Sequence, residues 1–524
     1  MFYSLSGSIL IYYDSRLGPS PQTNGPPIGK FLMNLLYIIF TIPCIYTFSP
    51  ANRKGAKGFK KHPGHPVVLI PGDGGSQLEA NLTGKPSVVH YICSKATGDY
   101  FDLWLNLELF TPMVIDCWVD NMQLVWNNET KRSENMPGVD IRVPGFGGTD
   151  TVEWLDPSKA STGLYFFNIV DMMVSWGYKR GKNIIGAPYD WRRSPKELHE
   201  YYVLLKTQIE TVYRWNNDKR VVIVGHSMGN PVMLYFYHNY VDQAWKDKYI
   251  KSHVSLAAPW GGAMQIVKLY ASGYNMNYYR VILPPNKLRT MQRSFTSSAF
   301  LFPNPAVWNE TDRLASTADK NYTVTNIQEF FKDVNYEIGW EQYQQAALLL
   351  KSLDAPGVTV HCAYGTKVPT PEEFAWTKGY FPDYQPSIIN GDGDGTVNLK
   401  SAKVCERWSN NKNNGYPVTL HDIPNADHMA ILQSPTAIEL IRKAELLAED
   451  GANDTDYQRT LMTLQHQNGR LLGEMEAFLK WREDVERQKL WFSSMEQLKM
   501  FVWWRVVPDL NPKVPAVRIM FTWY

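Results

Sequence analysis

The segment RVVIVGHSMGN (residues 220–230) runs four consecutive β-branched residues into a Gly-x-Ser-x-Gly pentapeptide, and the apolar helical run PVMLYFYHNY (231–240) follows it. A strand that is apolar at every position is buried on both faces, as strands of a parallel sheet are. Glycines at 225 and 229 permit a sharp strand-to-helix turn that lifts a serine above the sheet edge. Ser227 is therefore the candidate nucleophile. Met228, whose backbone N–H opens the following helix, is the candidate donor to a developing oxyanion. His226 adjoins the serine but projects the wrong way to take its proton, and reads as structural.

The same strand-then-glycine pattern recurs in VVLIPGDGG (67–75), HVSLAAPWGG (253–262) and VTVHCAYGT (358–366). Strands of this kind alternating with helical stretches predict an α/β-hydrolase fold with a mainly parallel central sheet, occupying about 62–450. Two stretches between strands, about 76–160 and 265–350, are too long for simple crossovers. They read as a membrane-binding insertion and a lid over the site.

A serine hydroxyl is a weak nucleophile, so a histidine must accept its proton and a carboxylate must fix that histidine's tautomer. In this fold the chain order is serine, acid, histidine. The acid falls in GDGDGTVN (391–398), where Asp394 is favoured over Asp392 because it immediately precedes the turn. Asn390, Asp392, Asp394 and Gly395 also imitate the start of a calcium loop, but Ser401 stands where the bidentate glutamate belongs, so no metal is expected. His428 in HDIPNADHMAI (421–431) is the base, on a loop after the strand that holds His421. The second oxyanion donor is expected from PGDGGS (71–76), at Asp73. Serine chemistry of this type requires no cofactor, and none is expected.

Of the chain's 524 residues, 53 are Lys or Arg and 51 Asp or Glu, a balance that argues against a nucleic-acid partner. The uncharged run FLMNLLYIIFTIPCIYTF (31–48) reads as a signal segment or a short membrane anchor within a leader spanning 1–61. Either directs the chain into the secretory pathway, although Arg53, Lys54, Lys57, Lys60 and Lys61 after the run outnumber Arg16 and Lys30 before it, against the positive-inside rule. Sequons at Asn81, Asn128, Asn309, Asn321 and Asn453 favour a lumenal destination. So do four cysteines outside that run, Cys93, Cys117, Cys362 and Cys405, an even number suited to two disulfides. Between the first two lies GDYFDLWLNLELF (98–110), an apolar flap whose Phe101, Trp104 and Leu105 either touch a bilayer or pack inward. Residues 451–524 form an extension ending in KLWFSSMEQLKMFVWW (489–504), readable as an interfacial helix or as a helix packed on the body.

The blocks VVHYICSKATGDYFDLWLNLEL, GAPYDWRRSP, GHSMGN, AWKDKYI, SLAAPWGG, YGTKVPTP and GDGDGTVNLKSA, spread over 65–445, closely resemble the lecithin:cholesterol acyltransferase family. The resemblance implies Ser227, Asp394 and His428 as a triad, Asp73 and Met228 as oxyanion donors, and bridges Cys93–Cys117 and Cys362–Cys405. It further implies a calcium-independent phospholipase A and O-acyltransferase that works at a phospholipid membrane surface, with a lid near 265–305. The acyl group would pass to water or to a lipid alcohol such as ceramide. A monomer in the lysosome lumen or secreted is expected. A sterol acyltransferase or neutral-lipid esterase is the enzymatic alternative, and a lipid-binding protein on a hydrolase scaffold the non-enzymatic one. Gly74 departs from the family, which carries a bulky residue there, and predicts a looser oxyanion turn with an altered acyl-chain preference.

Overall fold

Each apolar run becomes a strand of one sheet: β1 (Val67–Ile70), β2 (Ile184–Gly186), β3 (Val221–His226), β4 (Ile250–Leu256), β5 (Val360–Thr366) and β6 (Val418–Pro424), ordered β6-β5-β4-β3-β1-β2. All five pairings are parallel, with Val68 facing Ile185 on one side and Ile223 on the other. This computed structural model describes residues 63–159, 163–275, 284–347, 349–409, 413 and 415–446. The run at 31–48, Asn453 and the extension 451–524 lie outside the described residues. Among the described helices none is long and apolar enough to cross a membrane.

β1 and β3 are buried at every position, which is why their sequences show no polar alternation. Helices α1 (His199–Trp215), α2 (Gly229–Asn239), α3 (Gln243–Tyr249) and α4 (Pro435–Leu446) cover the sheet. The C-terminal ends of β1, β3 and β6 converge on one edge, where open α/β sheets carry their sites.

Between β1 and β2 the chain builds a three-stranded antiparallel sheet (Leu78–Leu82, Phe101–Trp104, Val139–Arg142) and a hairpin (Leu124–Asn127, Arg132–Asn135). The bridge Cys93–Cys117 forms here, and Cys362–Cys405 ties β5 to the turn after Ala402. The flap corrects the expectation for its aromatic residues. Trp104 is 6% exposed and Leu105 2%, so neither faces a bilayer, and only Phe101 is partly exposed. The reason is the strand: paired to Leu78–Leu82, it turns Trp104 inward against Trp118, Trp191 and Phe110. The outward apolar side chains of this insertion include Val89, Tyr91, Ile92, Leu107 and Met113 near the first disulfide and Val125 on the hairpin, with Tyr91 87% exposed.

Buried charge joins this insertion to the sheet. Arg192, with no exposed surface, donates to both Asp190 carboxylate oxygens (2.8 and 2.7 Å), to the Met122 carbonyl (3.2 Å) and to Asn135 Oδ1 (2.9 Å). Burial alone would raise the pKa of Asp190, but Arg192 and Arg193 outweigh it and hold it down at about 2. The pair's stabilisation is thus complete above the ordinary carboxylate range and fades only as pH falls toward 2. Arg192→Met leaves Asp190 with Arg193 as its one remaining cation, 3.0 Å away, and is expected to cost about 3 kcal/mol of stability, read from urea unfolding at pH 5–7.

The region between β4 and β5 holds helices Gln265–Ser272, Pro285–Ser294, Thr296–Phe300, Ile327–Asp333 and Ile338–Ala346. It also contributes two short strands (Ala315–Ser316, Asn321–Tyr322) to a second sheet completed by Thr370–Ala375 and Ser387–Gly391 after β5.

Candidate active site

Ser227 leaves β3 with φ +51°, a left-handed conformation that a non-glycine residue adopts only when its surroundings impose it. Two glycines make room for it. A Cβ on Gly225 would lie 2.4 Å from Asn230 Oδ1, and one on Gly229 would lie 2.5 Å from the carbonyl oxygens of Ile70 and Pro71. The hydroxyl meets His428 Nε2 at 2.9 Å, and His428 Nδ1 meets Asp394 Oδ2 at 2.8 Å. The structure therefore brings together the three residues singled out in the sequence, from the ends of three separate segments.

Asp394 is 3% exposed, and its other oxygen, Oδ1, accepts from the N–H groups of Thr396 (3.0 Å) and Val397 (2.7 Å). The His428 N–H donates to the Asp394 carbonyl (2.9 Å), which fixes base and acid in one unit. Asp392 turns elsewhere and caps the N–H groups of Lys367 and Gly393. His421 lies on β6 with its Nε2 3.0 Å from the Thr419 hydroxyl, remote from Ser227 in its hydrogen bonding. Burial opposes the His428 imidazolium, but the Asp394 carboxylate more than compensates and raises its pKa.

Among the described residues no protein acceptor takes the N–H of Met228 or of Asp73, so both are available to an oxyanion beside Ser227. The turn that carries Asp73 is held from three sides. Gly72 N–H donates to Tyr165 Oη (2.9 Å), Tyr189 Oη–H to the Pro71 carbonyl (2.9 Å), and Trp104 Nε1–H to the Gly74 carbonyl (2.8 Å). The expected loosening at Gly74 is thus offset. Gly74 has φ +69°, and the Trp104 ring lies 3.3 Å from where a Cβ would be.

His226 does more than fill space. Its Nδ1 is 2.5 Å from Tyr165 Oη and its Nε2 2.9 Å from the His428 carbonyl. Burial first, then His428, lowers its pKa far below the ordinary value, so the ring is neutral. Only one tautomer satisfies both partners: Nε2–H donates to the carbonyl and Nδ1 accepts from the tyrosine. The oxyanion turn and the base are therefore joined through Tyr165 and His226. Sequence reasoning missed Tyr165, Tyr189 and Trp104 in this setting. Tyr189 and Trp104 sat inside the quoted blocks, whereas Tyr165 carried no signal.

Asp73 is exposed at the surface, yet the protein beside its carboxyl desolvates it and raises its pKa above the ordinary carboxylate value, against the lowering effects of the Gly74 N–H and of His428. Below that raised value it is neutral. Above, its charge stands next to the place where the oxyanion develops and opposes it. Ester turnover is expected to fall on the alkaline side as Asp73 ionises and on the acid side as His428 becomes protonated, and Asp73→Asn is expected to extend the alkaline limb of kcat/KM upward while leaving the acid limb in place. A pH–rate profile on a soluble ester reads this.

Of the four described sequons, Asn128, Asn309 and Asn321 are exposed, while Asn81 is half-buried and accepts from Thr97 Oγ1 (2.9 Å).

Residues 100–435 match the family model described as lecithin:cholesterol acyltransferase. The chain is 44% identical over 420 residues to lysosomal phospholipase A and acyltransferase of Homo sapiens, covering 80% of this chain and 96% of that protein. It is 42% identical over 376 residues to phosphatidylcholine-sterol acyltransferase of Gallus gallus, covering 72% and 89%. Among solved structures, a chain of the Tle4–Tli4 complex aligns with TM-score 0.42 at 13% identity, covering 74% of this chain and 99% of that one.

Proposed function

The chain belongs to the lecithin:cholesterol acyltransferase family, and from that premise we propose that it is a phospholipase A and O-acyltransferase acting on glycerophospholipid at a membrane surface. The observation that carries this reading is the hydrogen-bonded line Ser227, His428, Asp394 in a family member. Ser227 Oγ attacks the acyl carbonyl while His428 Nε2 takes the hydroxyl proton. The oxyanion of the tetrahedral intermediate is held by the N–H groups of Met228 and Asp73, and His428 returns the proton to the departing lysophospholipid oxygen. The acyl-serine is then attacked by water or by a lipid alcohol, ceramide in our reading, which His428 deprotonates in turn. No metal enters these steps.

Val89, Tyr91, Ile92, Leu107 and Met113 form the apolar surface that meets the bilayer, beside the first disulfide, in place of Trp104 and Leu105. The exposed sequons and two disulfides support a site of action in the lysosome lumen or outside the cell.

Vesicles of phosphatidylcholine and phosphatidylglycerol containing both ceramide and cholesterol test the acceptor in one reaction. Fatty acid with acylceramide is the expected product set. Steryl ester as the main acylated product would transfer the assignment to the activity named for the Gallus gallus relative.

A further inference from the structure

The peptide units that lead to the Asp73 N–H are pinned one after another. In the Pro71–Gly72 unit the carbonyl accepts from Tyr189 Oη–H (2.9 Å) and the N–H donates to Tyr165 Oη (2.9 Å), so both ends of one plane are held. In the next unit the Gly72 carbonyl accepts from the Gly75 N–H at 3.0 Å. The C=O and N–H of a trans peptide point in opposite directions, so this bond turns the Asp73 N–H outward from the turn. The turn also abuts the nucleophile, since a Cβ on Gly72 would lie 2.6 Å from Ser227 Cβ.

Tyr165 differs from Tyr189 in what lies behind it. It is 3% exposed, and its backbone N–H is fixed to the Glu153 carbonyl (2.8 Å) ahead of the helix Phe167–Ser175. A Cβ on Gly75 would lie 2.8 Å from its hydroxyl oxygen, so the turn closes around the phenol. Because Oη accepts from Gly72, its proton goes to His226 Nδ1 at 2.5 Å, and burial raises the phenol's pKa and keeps that proton in place. His226 directly precedes Ser227, and its Nε2–H reaches the carbonyl of His428, whose own N–H is bonded to the Asp394 carbonyl. One hydroxyl thus has the oxyanion turn on its acceptor side and the elbow and the base on its donor side. Phenylalanine in its place leaves the Gly72 N–H and His226 Nδ1 without these partners, and buried polar groups left unpaired shift to find others.

We propose that Tyr165 is a positioning residue of the acyl-transfer reaction, its hydroxyl aligning the Asp73 N–H for the oxyanion and the His428 ring for the Ser227 proton through the bonds to Gly72 and His226. It touches no reacting atom and acts through groups that do. This role rests on the acyl-serine reading above and adds the group that keeps the two halves of that site in register.

The test compares Tyr165→Phe with wild type in the full, glycosylated chain, on a soluble ester and against a medium-chain alkylboronic acid, which becomes a tetrahedral anion on Ser227. kcat is expected to fall about 10–100-fold, against about 10²–10³ for outright removal of an oxyanion donor, with KM within about twofold of wild type. Boronate affinity is expected to fall by a similar factor while affinity for free fatty acid, which carries no tetrahedral oxyanion, stays at the wild-type value, a split that a role in folding alone would not produce. His226→Asn keeps an acceptor at the δ position for the Tyr165 hydroxyl but is too short to reach the His428 carbonyl. It is expected to lower kcat several-fold with boronate affinity closer to wild type, and it serves where Tyr165→Phe does not fold. Wild-type kcat in either variant, a loss confined to KM, or boronate affinity unchanged in Tyr165→Phe while kcat falls would overturn the proposal. A wild-type chain that cleaves the soluble ester but no phospholipid corrects the substrate reading alone, and the ratio of variant to wild type on that ester still decides the role of Tyr165.

Discussion

Ser227→Ala is expected to lower fatty acid release from anionic phospholipid vesicles by about four to six orders of magnitude, the range in which removal of a triad serine leaves only oxyanion stabilisation and binding. The size of the effect follows from the geometry. His428 Nε2 has the Ser227 hydroxyl as its hydrogen-bonded partner at 2.9 Å, and Asp394 already occupies Nδ1, so no second side-chain nucleophile is hydrogen-bonded to the base. The fold is expected to be unaffected. Alanine retains the Cβ that packs 2.6 Å from the position a side chain at Gly72 would take, and the φ of +51° is imposed by the strand-to-helix turn on either residue. Tm and vesicle binding should therefore match wild type within error while turnover and fluorophosphonate labelling vanish. A variant that still releases fatty acid at a tenth of the wild-type rate would remove Ser227 from the reaction. Failure of the wild-type chain to label would favour a lipid-binding protein on a hydrolase scaffold.

What could be read from the sequence divides along physical lines. β1 and β3 were legible because their runs VVLI and VVIV are apolar throughout and lead into glycine, whereas β4 and β5, which carry Lys251, His253 and His361, were legible from short apolar stretches leading into a glycine-bearing turn. β2 was not, since Ile184–Gly186 is only three residues long and acquires its place by pairing with β1. The second sheet escaped for a related reason. Its strand Ser387–Gly391 lies largely exposed, so burial never stamped a pattern on it.

In the site, order along the chain narrowed the acid to two aspartates, and the packing distinguishes them. Asp394 reaches His428, while Asp392 is occupied by the N–H of Lys367. Trp104 shows the limit of composition. A segment rich in aromatics between two cysteines reads equally as membrane anchor or core, and only the pairing with Leu78–Leu82 decides which way each side chain points. Tyr165 lies 93 residues from Gly72 and 61 from His226, contacts that no local pattern encodes.

Asp394→Asn should lower kcat by about four orders of magnitude with little change in KM, because it reverses a tautomer and leaves every other contact in place. In the wild type Oδ1 takes the N–H groups of Thr396 and Val397, and Oδ2 takes Nδ1–H of His428. An asparagine must present its oxygen to the two backbone donors, since its amino group would face them donor to donor. The amino group is then directed at His428 Nδ1 and forces that nitrogen to accept. The imidazole proton moves to Nε2, the atom that must take the hydroxyl proton of Ser227, and the base is lost with the geometry intact. Two readouts separate this from simple damage. The backbone bond from His428 N–H to the residue 394 carbonyl, and the His226 bond to the His428 carbonyl, are untouched by the change, so Tm should stay close to wild type. Asp394→Ala, which frees Nδ1 from a forced acceptor role, is expected to retain more activity than Asp394→Asn at pH 7. If both variants lose activity equally and unfold together, the carboxylate serves packing and the tautomer argument fails.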